Sequence, residues 1–370
     1  MPGGSKNILV CVTGLTPQVV TETVYALGNE GHLPDEIHVL TTITGRARAA
    51  ETLFGDDGQL ARLCRDYVWS TEKGLLHAGN IHVIQDAAGT ELGDIQDERD
   101  NAAAADFITG FIRKMTSRAD RHLHVSLAGG RKTMGFFTGY ALSLYGRPQD
   151  RLSHVLVNPP FESHSEFFYP PPQPRQLQTH AGTMVSTADA QVQLADIPFV
   201  RLRSGLDDEL VEGDLTFSAA VARTQQLIDP PALRIDLGTR RVSLQGQPLR
   251  LSETLFIWLV WFAARAHQGL PRLAFDEAAA RGLLATIEWL DGSRDGRPGT
   301  AAQQAMRDLQ RGDKDYFDRN LSRLNRELRT CPGLIPAAAK RYQIASSPTR
   351  SPTTYALELA PEQIHIQGEP

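Results

Sequence analysis

Runs of apolar, β-branched residues alternate with segments of helical periodicity over the first 160 residues of the chain. The run 7–13 (NILVCVT) predicts a strand buried on both faces, and after it Val19, Val20, Val24 and Leu27 recur at helical spacing. The alternation continues with strands predicted over 36–42, 80–84, 122–127 and 154–157 and helices over 101–115 and 133–145. This order predicts an α/β fold with a Rossmann-like, mostly parallel, doubly wound sheet.

A different pattern follows Pro230-Pro231. It predicts short strands over 233–237 and 241–244, an apolar helix over 253–266, helices near 274–290 and 302–311, a basic helix over 315–330 and a two-stranded wing over 334–346. The predicted organisation is an α/β domain over 1–205, a helical linker over 206–231, a smaller domain over 232–350 and a C-terminal tail over 351–370.

The composition is that of a globular protein with two or three domains. Of 370 residues, 41% are hydrophobic and 22% charged, enough to bury substantial cores. No stretch approaches the roughly 18 apolar residues of a membrane span, and the N-terminus lacks the pattern of a secretory signal. Cys11, Cys64 and Cys331 have no CxxC spacing, which argues against disulfides or structural zinc. We therefore expect a cytoplasmic protein with no membrane partner.

The net charge of −5 is unevenly distributed along the chain. Residues 230–350 hold 19 Lys and Arg against 12 Asp and Glu, a surplus of seven positive charges, whereas the rest holds 19 against 31, a net charge of −12. A basic C-terminal third predicts a polyanion partner for that part, although chance segregation of solvated charges gives the same balance.

Two loops each follow a predicted buried strand and open a helix. In the TGLTPQ loop (13–18), Gly14 allows close backbone approach and Thr16 offers a hydroxyl where the helix begins. Because strand ends and helix N-termini of such sheets bind ligands and phosphates, the candidate ligand contacts of this loop are Thr13, Gly14, Leu15, Pro17 and Gln18. The alternative is that Thr16 merely caps the helix.

The AGGRKT loop (128–133) combines two glycines with two cations and a hydroxyl. Lys132 supplies a point charge and Arg131 a planar fork, both suited to an anionic ligand. The remaining candidate ligand contacts here are Gly129, Gly130 and Thr133. The GxxxxGK[ST] spacing of a Walker loop is absent, so nothing indicates a P-loop NTPase. The alternative is a glycine turn with solvated charges.

Several separated segments resemble the CRISPR-associated ring nucleases, which have a CARF domain (CRISPR-associated Rossmann fold). They are ILVCVTGLTPQVVTETVYAL, LHVSLAGGRKTMGFFTGYALSLYGRPQDRLSHVLV, FESHSEFFYP and IPFVRLR, within roughly residues 7–203. The resemblance implies a homodimer that binds cyclic tetra-adenylate across its two-fold axis. It also implies cleavage to linear di-adenylates with a 2′,3′-cyclic phosphate, which switches off antiviral signalling, without metal or another cofactor. The implied catalytic residues are Thr16, where the family often has serine, and Lys132.

The C-terminal third resembles a winged helix-turn-helix of the response-regulator type. LRIDLGTRRVSLQGQPLRLSETLFIWLVWF resembles its opening, DRNLSRLNRELR its recognition helix and RYQIASS its wing. The resemblance makes double-stranded DNA a candidate partner, and the helical spacing gives as candidate DNA contacts Arg319, Asn320, Arg323 and Arg326. Alternatively this domain serves dimerisation or protein docking. A second function class is therefore a non-catalytic messenger sensor that regulates transcription.

Other chemistry-bearing groups have structural interpretations that we favour. Asp94, Asp97 and Asp100 could hold a metal or approach adenine edges, but capping of the helix from 101 is the simpler role. His124 and His154 lie on predicted strands as core histidines. A metal could be ligated by Glu162, His164 and Glu166, which nothing else in the sequence supports. Adenine stacking and packing over the sheet edge are both open for Phe167, Phe168 and Tyr169.

Overall fold

The structure is a computed structural model that describes residues 5–70, 80–162, 164–206, 208–291, 314–347 and 352–368. The chain divides into two compact units, Met1–Ala220 and Val221–Pro370. Each unit is built around its own sheet and core, and each is described by itself below.

A six-stranded sheet in the order β3-β2-β1-β4-β5-β8 organises the first unit. All neighbouring strands are parallel except β8, which pairs antiparallel with β5. The predicted Rossmann-like α/β fold is confirmed for this unit. Its strand order runs outward from β1 in one direction through β2 and β3, and in the other direction through β4 and β5. The strands are β1 (Lys6–Val12), β2 (Glu36–Thr41), β3 (Ile81–Val83), β4 (Arg121–Ser126), β5 (Arg151–Val157) and β8 (Val192–Asp196), with a hairpin of β6 (Gln176–Gln178) and β7 (Met184–Ser186) before β8.

Helices cover both faces of this sheet. They are α1 (Gln18–Asn29), α2 (Ile43–Thr52), α3 (Gln59–Asp66), α4 (Glu98–Thr116), α5 (Lys132–Tyr145), α6 (Asp208–Glu212) and, extending into the second unit, α7 (Phe217–Ile228). In one core, α4 and α5 pack against β1 and β4. In the other, the three helices α1, α2 and α3 pack against β1 and β2. β1 contributes Ile8, Val10 and Val12 to the first core and Leu9 and Cys11 to the second, which is why its sequence is apolar throughout.

The stretch 180–205 contains two short strands. Within it β7 closes a hairpin and β8 extends the main sheet by pairing Val155 with Leu194. The antiparallel direction needs no crossover helix, so no helical periodicity marks it in the sequence.

The second unit packs two small sheets around helix α8 (Glu253–His267). The first sheet has the order β11-β10-β9-β15 and the second the order β12-β14-β13. Nine consecutive residues of α8, from Leu255 to Ala263, are buried. The remaining elements are β9 (Leu233–Asp236), β10 (Arg241–Leu244), β11 (Gln247–Leu249), β12 (Leu273–Ala274), α9 (Glu277–Asp291), α10 (Lys314–Arg329), α11 (Pro336–Ala339), β13 (Ile344–Ser346), β14 (Thr354–Leu357) and β15 (Ile364–Gln367).

The C-terminal part of this unit differs from the expectation. The predicted wing 334–346 contains α11 and only one strand, β13, whose partner β14 lies in the segment expected to be a tail. That segment also supplies β15, which pairs with β9 in parallel. The β15–β9 pairing joins residues that are far apart in the chain and leaves no local signal in the sequence, whereas β13 and β14 form a local hairpin. The helix predicted near 302–311 lies outside the described residues. Among the helices that the structure describes, none has the length and apolarity to span a membrane.

Candidate functional site

The TGLTPQ and AGGRKT loops meet between β1 and β4, where the strand order of the sheet reverses. β1 and β4 are parallel neighbours, so the loops that follow them leave the same edge of the sheet. They approach so closely that a Cβ built on Gly14 would lie 3.6 Å from the Cα of Gly130. The structure therefore brings together the two loops that the sequence singled out, at the position where ligands of doubly wound sheets bind.

A cavity of about 300 Å³ lies between these loops. The loop after β2 and the segment before α4 complete its wall. The first was not predicted to belong to the site, and the second, which contains Asp94, was expected to cap a helix, with contact to adenine edges as the alternative. Its lining residues are Thr13, Gly14, Leu15, Thr42, Thr44, Gly45, Asp94, Gly130, Arg131 and Met134. The end of β2 could have been found by sequence, because β2 is the other parallel neighbour of β1 and its last residues, Thr41-Thr42, are followed by a helix.

Hydrogen bonds fix the backbone of the TGLTPQ loop. The buried Thr13 hydroxyl donates to the Thr16 carbonyl at 3.2 Å, and the Thr41 hydroxyl donates to the Thr13 carbonyl at 2.7 Å. Thr42 accepts from the backbone N–H of Gly45 at 3.4 Å and so caps α2. Since the Thr13 hydroxyl is already engaged, Thr13 holds the loop in place, whereas the exposed Leu15 and Thr16 are free to meet a ligand.

The outer residues of the two loops lie around the cavity and not in its wall. Thr16, Lys132 and Thr133 are exposed at the starts of α1 and α5. No side chain caps α1 at Pro17, so the capping interpretation of Thr16 gains no support. The two predicted catalytic residues therefore share one edge of the sheet, but within a single chain neither lines the cavity.

Gln18 does not face the cavity, contrary to the prediction. It is 9% exposed, and its Nε2 donates to the Ser165 carbonyl at 3.1 Å. Its Oε1 is buried without a hydrogen-bond partner among the described residues. Gln18, the first residue of α1, turns inward, and its side chain reaches the 158–170 segment.

Arg131 is paired with Asp94, a carboxylate that we expected to cap the helix from 101. Its Nε donates to Asp94 at 3.2 Å and its Nη2 makes a second, closer contact with the same carboxylate. The guanidinium holds the pKa of Asp94 below its ordinary value. The fork predicted for an anionic ligand is thus engaged by a residue 37 positions away, and Asp94 adds a hydrogen-bond acceptor to the cavity wall.

The other two aspartates have the structural role that we favoured. Asp97 accepts from the Asp100 backbone N–H at 2.8 Å and is the N-cap of α4, while Asp100 accepts from the Gln96 N–H at 3.0 Å. Within the described ranges, no group of three or more His, Cys, Asp or Glu residues is arranged to hold a metal ion.

The AGGRKT loop depends on glycine at Gly129. Its φ is +96°, and an added Cβ would lie 2.9 Å from the Val12 carbonyl oxygen and 3.0 Å from Val19 Cγ2. We expect Gly129→Ala to lower the free energy of unfolding by about 1–3 kcal/mol, because it combines backbone strain with a clash.

Gly139→Ala in α5 is the matched control for Gly129→Ala, since a Cβ there meets only side-chain carbons at 3.7 Å or more. Alanine is favoured over glycine within a helix, so this control should be neutral or stabilising. Urea unfolding of the three proteins measures the effect, and equal stability of both variants would contradict the assigned loop conformation.

Glu22, one turn after Gln18 on α1, is 5% exposed. Burial, reinforced by the nearby Glu162 carboxylate, raises its pKa from 4.5 to about 7. The folded state therefore keeps a proton on Glu22 between about pH 4.5 and pH 7 that the unfolded state releases. The contribution of Glu22 to the free energy of unfolding therefore decreases as the pH rises from about 4.5 to about 7.

Glu22→Gln should remove this pH dependence. We expect the variant to be more stable than the unsubstituted protein by about 2–3 kcal/mol at about pH 8, with the difference shrinking towards about pH 5. Urea unfolding at both pH values measures it. A stability difference that is the same at both would show that Glu22 does not titrate in this window.

The remaining candidates near the sheet are structural. The His124 Nε2 lies 2.7 Å from the Ser153 Oγ, and burial lowers the pKa of His124 to about 4, as a core histidine requires. The Nε2 of His164 donates to the Gln178 carbonyl and its Nδ1 accepts from the Glu166 N–H. Buried packing positions are occupied by Phe167, Phe168 and Tyr169.

In the second unit, α10 presents arginines on its outer face. Arg319, Arg323 and Arg326 are exposed, but Asn320 is 5% exposed and its Nδ2 donates to the Tyr316 carbonyl at 3.0 Å. The prediction for Asn320 as a DNA contact is wrong, because position 320 belongs to the buried stripe of the helix. The residues of that stripe are Tyr316, Phe317, Asn320, Leu321, Leu324 and Leu328.

The doubly wound sheet, with a cavity at the point where the strand order reverses, defines a protein of Rossmann-like architecture. The sequence profile of the family described as CRISPR-associated protein NE0113 matches residues 16–230, more than half of the chain. The chain therefore belongs to this CRISPR-associated family.

Other comparisons add little. No curated protein is significantly similar to the chain. One similar solved structure is Enterococcus italicus Csm6 bound to cyclic hexa-2′-fluoro-hexa-dAMP, with 11% identity and a TM-score of 0.27. The match covers 85% of this chain and 55% of Csm6, so the chain spans just over half of that protein.

Proposed function

We propose that this protein is a cytoplasmic ring nuclease that binds cyclic tetra-adenylate as a homodimer and cleaves it without metal. The reaction gives linear di-adenylate with a 2′,3′-cyclic phosphate and switches off type III CRISPR signalling. The observation that carries the proposal is the meeting of the TGLTPQ and AGGRKT loops at one cavity. Membership of a CRISPR-associated family supports it.

The proposal needs two copies of the chain. The cavity of about 300 Å³ is at the lower limit for a ligand pocket, too small for a ring of four nucleotides. Its rim carries Leu15, 66% exposed, and Ile43, 39% exposed, which a second copy would cover. Facing cavities would place two sets of Thr16 and Lys132 around one ring.

In this reaction the nucleophile is the ribose 2′-OH of the substrate. It attacks the adjacent phosphorus and loses its proton, the bond to the leaving 5′-oxygen breaks, and that oxygen takes up a proton. Two such cleavages of one ring give two di-adenylates. The protein must hold the 2′-oxygen in line with the leaving group, and such positioning can supply several kcal/mol. The Lys132 ammonium would stabilise the charge that grows on the non-bridging oxygens. Thr16 would orient the 2′-OH or a phosphate oxygen, since an unactivated hydroxyl is a poor general base.

Arg131 and Asp94 have a different role in this proposal. A phosphate entering the cavity must compete with the Asp94 carboxylate for the Arg131 guanidinium. An adenine can instead donate its exocyclic amino group to Asp94, which the ion pair keeps in place and ionised.

Incubation with cyclic tri-, tetra- and hexa-adenylate in the presence of EDTA tests the activity. Chromatography should show linear di-adenylate from the cyclic tetramer. Intact messenger that is released only on denaturation would mean that the protein is a receptor. If neither product nor bound messenger is found, both proposed functions are wrong.

The receptor is the second candidate function, because the second unit has features of a DNA-binding domain. The order of three strands, α8, α9, α10 and the β13–β14 hairpin supports the proposed winged helix-turn-helix. The exposed arginines of α10 would enter the major groove or contact phosphates. We expect Arg319→Gln with Arg323→Gln to weaken binding of duplex DNA at low salt, and no binding by the unsubstituted protein would contradict this role.

A further inference from the structure

The four-stranded sheet of the second unit has a basic outer face. Alternate residues point inward and are buried, among them Leu233, Ile235, Val242 and Leu244. The exposed alternate positions include Arg234, Arg241, Pro248 and His365. With Arg240 and Arg250 at the strand ends, this face forms a concavity of about 810 Å³. We call it the outer sheet face.

Two of its arginines form a like-charge pair across neighbouring strands. Arg234 lies opposite Ser243, and Arg241 lies opposite Asp236. Arg234 and Arg241 are therefore diagonal neighbours, a relation that separates their Cα atoms by about 7–8 Å. Positive charges at this range repel one another unless an anion lies between them.

The carboxylates nearby are engaged with other groups. Asp236 accepts from the Thr239 backbone N–H at 2.8 Å and from the Gln367 Nε2 at 3.3 Å. Glu253 pairs with Arg240 at 2.6 Å. Across the residues that the structure describes, the side chains of Arg234, Arg241 and Arg250 have no hydrogen bond or ion pair. Asp236 lies opposite Arg241 and offsets part of its charge, so the positive surplus of the outer sheet face rests mainly on Arg234 and Arg250.

The outer sheet face and the arginines of α10 lie on opposite sides of α8. The sheet packs on α8 through β15 and through Arg240, whose guanidinium lies 5.9 Å from the Phe256 ring. Helix α10 packs on α8 through Phe317, whose ring is 5.0 Å from that of Trp258. The sheet and α10 therefore contact α8 through different side chains.

We propose that the outer sheet face is a second anion-binding site, which binds the phosphate backbone of duplex nucleic acid independently of α10. The guanidinium fork matches phosphate oxygens, and the Ser243 hydroxyl between the strands can donate to a third. Of the described residues that line the concavity, none is aromatic. Exposed bases would find no stacking surface there, so a duplex is favoured over a single strand.

The test compares the full chain with the double variant Arg234→Gln and Arg241→Gln. A fluorescein-labelled mixed-sequence DNA duplex is titrated by anisotropy at several salt concentrations. We expect about tenfold weaker binding at low salt, because two charge-assisted contacts are lost. The slope of log K against log salt should fall by about 1.8, since each phosphate contact contributes about 0.9.

Arg281→Gln is the matched control, because Arg281 is exposed on α9 and already paired with Glu277. It should bind duplex with unchanged affinity and slope. Arg319→Gln with Arg323→Gln separates this site from α10: the two double variants should each lower the slope, and their combination should lower it further. If the α10 double variant binds duplex normally while the Arg234 and Arg241 variant binds it more weakly, the recognition-helix proposal is wrong and the outer sheet face is supported as the binding site.

Three results would overturn the proposal. One is an unchanged slope in the Arg234 and Arg241 variant while circular dichroism shows it folded. Another is tighter binding of a labelled single strand than of the duplex. The third is that the unsubstituted protein binds a polyglutamate peptide and the Arg234 and Arg241 variant does not, while both bind duplex. That result would mean that the outer sheet face binds an acidic protein.

Discussion

Lys132→Ala is expected to abolish cleavage of cyclic tetra-adenylate and to leave weak binding. Lys132 is the first residue of α5, two positions after Gly130, and its side chain is exposed. Its charge and the backbone N–H groups of the helix start would act together on one phosphate. Loss of a group that stabilises charge mainly in the transition state lowers turnover by about 10²–10³-fold.

Single-turnover cleavage of labelled substrate, with binding measured separately, distinguishes this effect from lost affinity. Lys132→Arg retains the positive charge but changes its position, so it should recover part of the activity. Lys114→Ala, an exposed lysine on α4, is the matched control and should cleave normally. Normal turnover by Lys132→Ala would remove this lysine from the mechanism.

Asp150→Ala should lower the free energy of unfolding by about 3–5 kcal/mol, because it leaves a buried guanidinium without its counter-ion. Asp150 is 0% exposed and Arg147 is 8% exposed. The carboxylate accepts from the Arg147 Nε at 2.9 Å, the Arg147 Nη2 at 2.8 Å and the Leu123 backbone N–H at 3.0 Å. Removing it therefore affects both the turn before β5 and the start of β4.

Asp196→Ala is the control for this prediction. Asp196 pairs with Arg151 at 2.9 Å, but its side chain is 65% exposed, so the change should cost no more than about 1 kcal/mol. Urea unfolding of both variants measures the difference. If Asp150→Ala and Asp196→Ala are equally stable, the buried pair does not contribute as its geometry indicates.

The two loops could be predicted from sequence because each is local. A buried strand, a glycine and a helix start lie within a few residues of one another, and parallel strands bring such loops to one edge. The Asp94 partner of Arg131 could not be predicted in this way, since the contact depends on how the segment before α4 crosses the end of β2.

The arginine stripe of α10 shows the same limit on a smaller scale. Helical spacing groups Arg319, Asn320, Arg323 and Arg326 on neighbouring positions, but the boundary between the buried and exposed faces is set by packing on α8. The carboxyl-terminal strands were missed because a strand of four residues carries little periodicity, and because the β9 partner of β15 is distant in the chain.

The parallel pairing of β15 with β9 joins the last strand of the second unit to its first. Ile364 stands beside Leu233 and Ile366 beside Ile235. Removal of β15 would therefore strip the backbone partner from β9 and open that edge of the sheet to other chains. Variants that lack β15 are accordingly aggregation hazards.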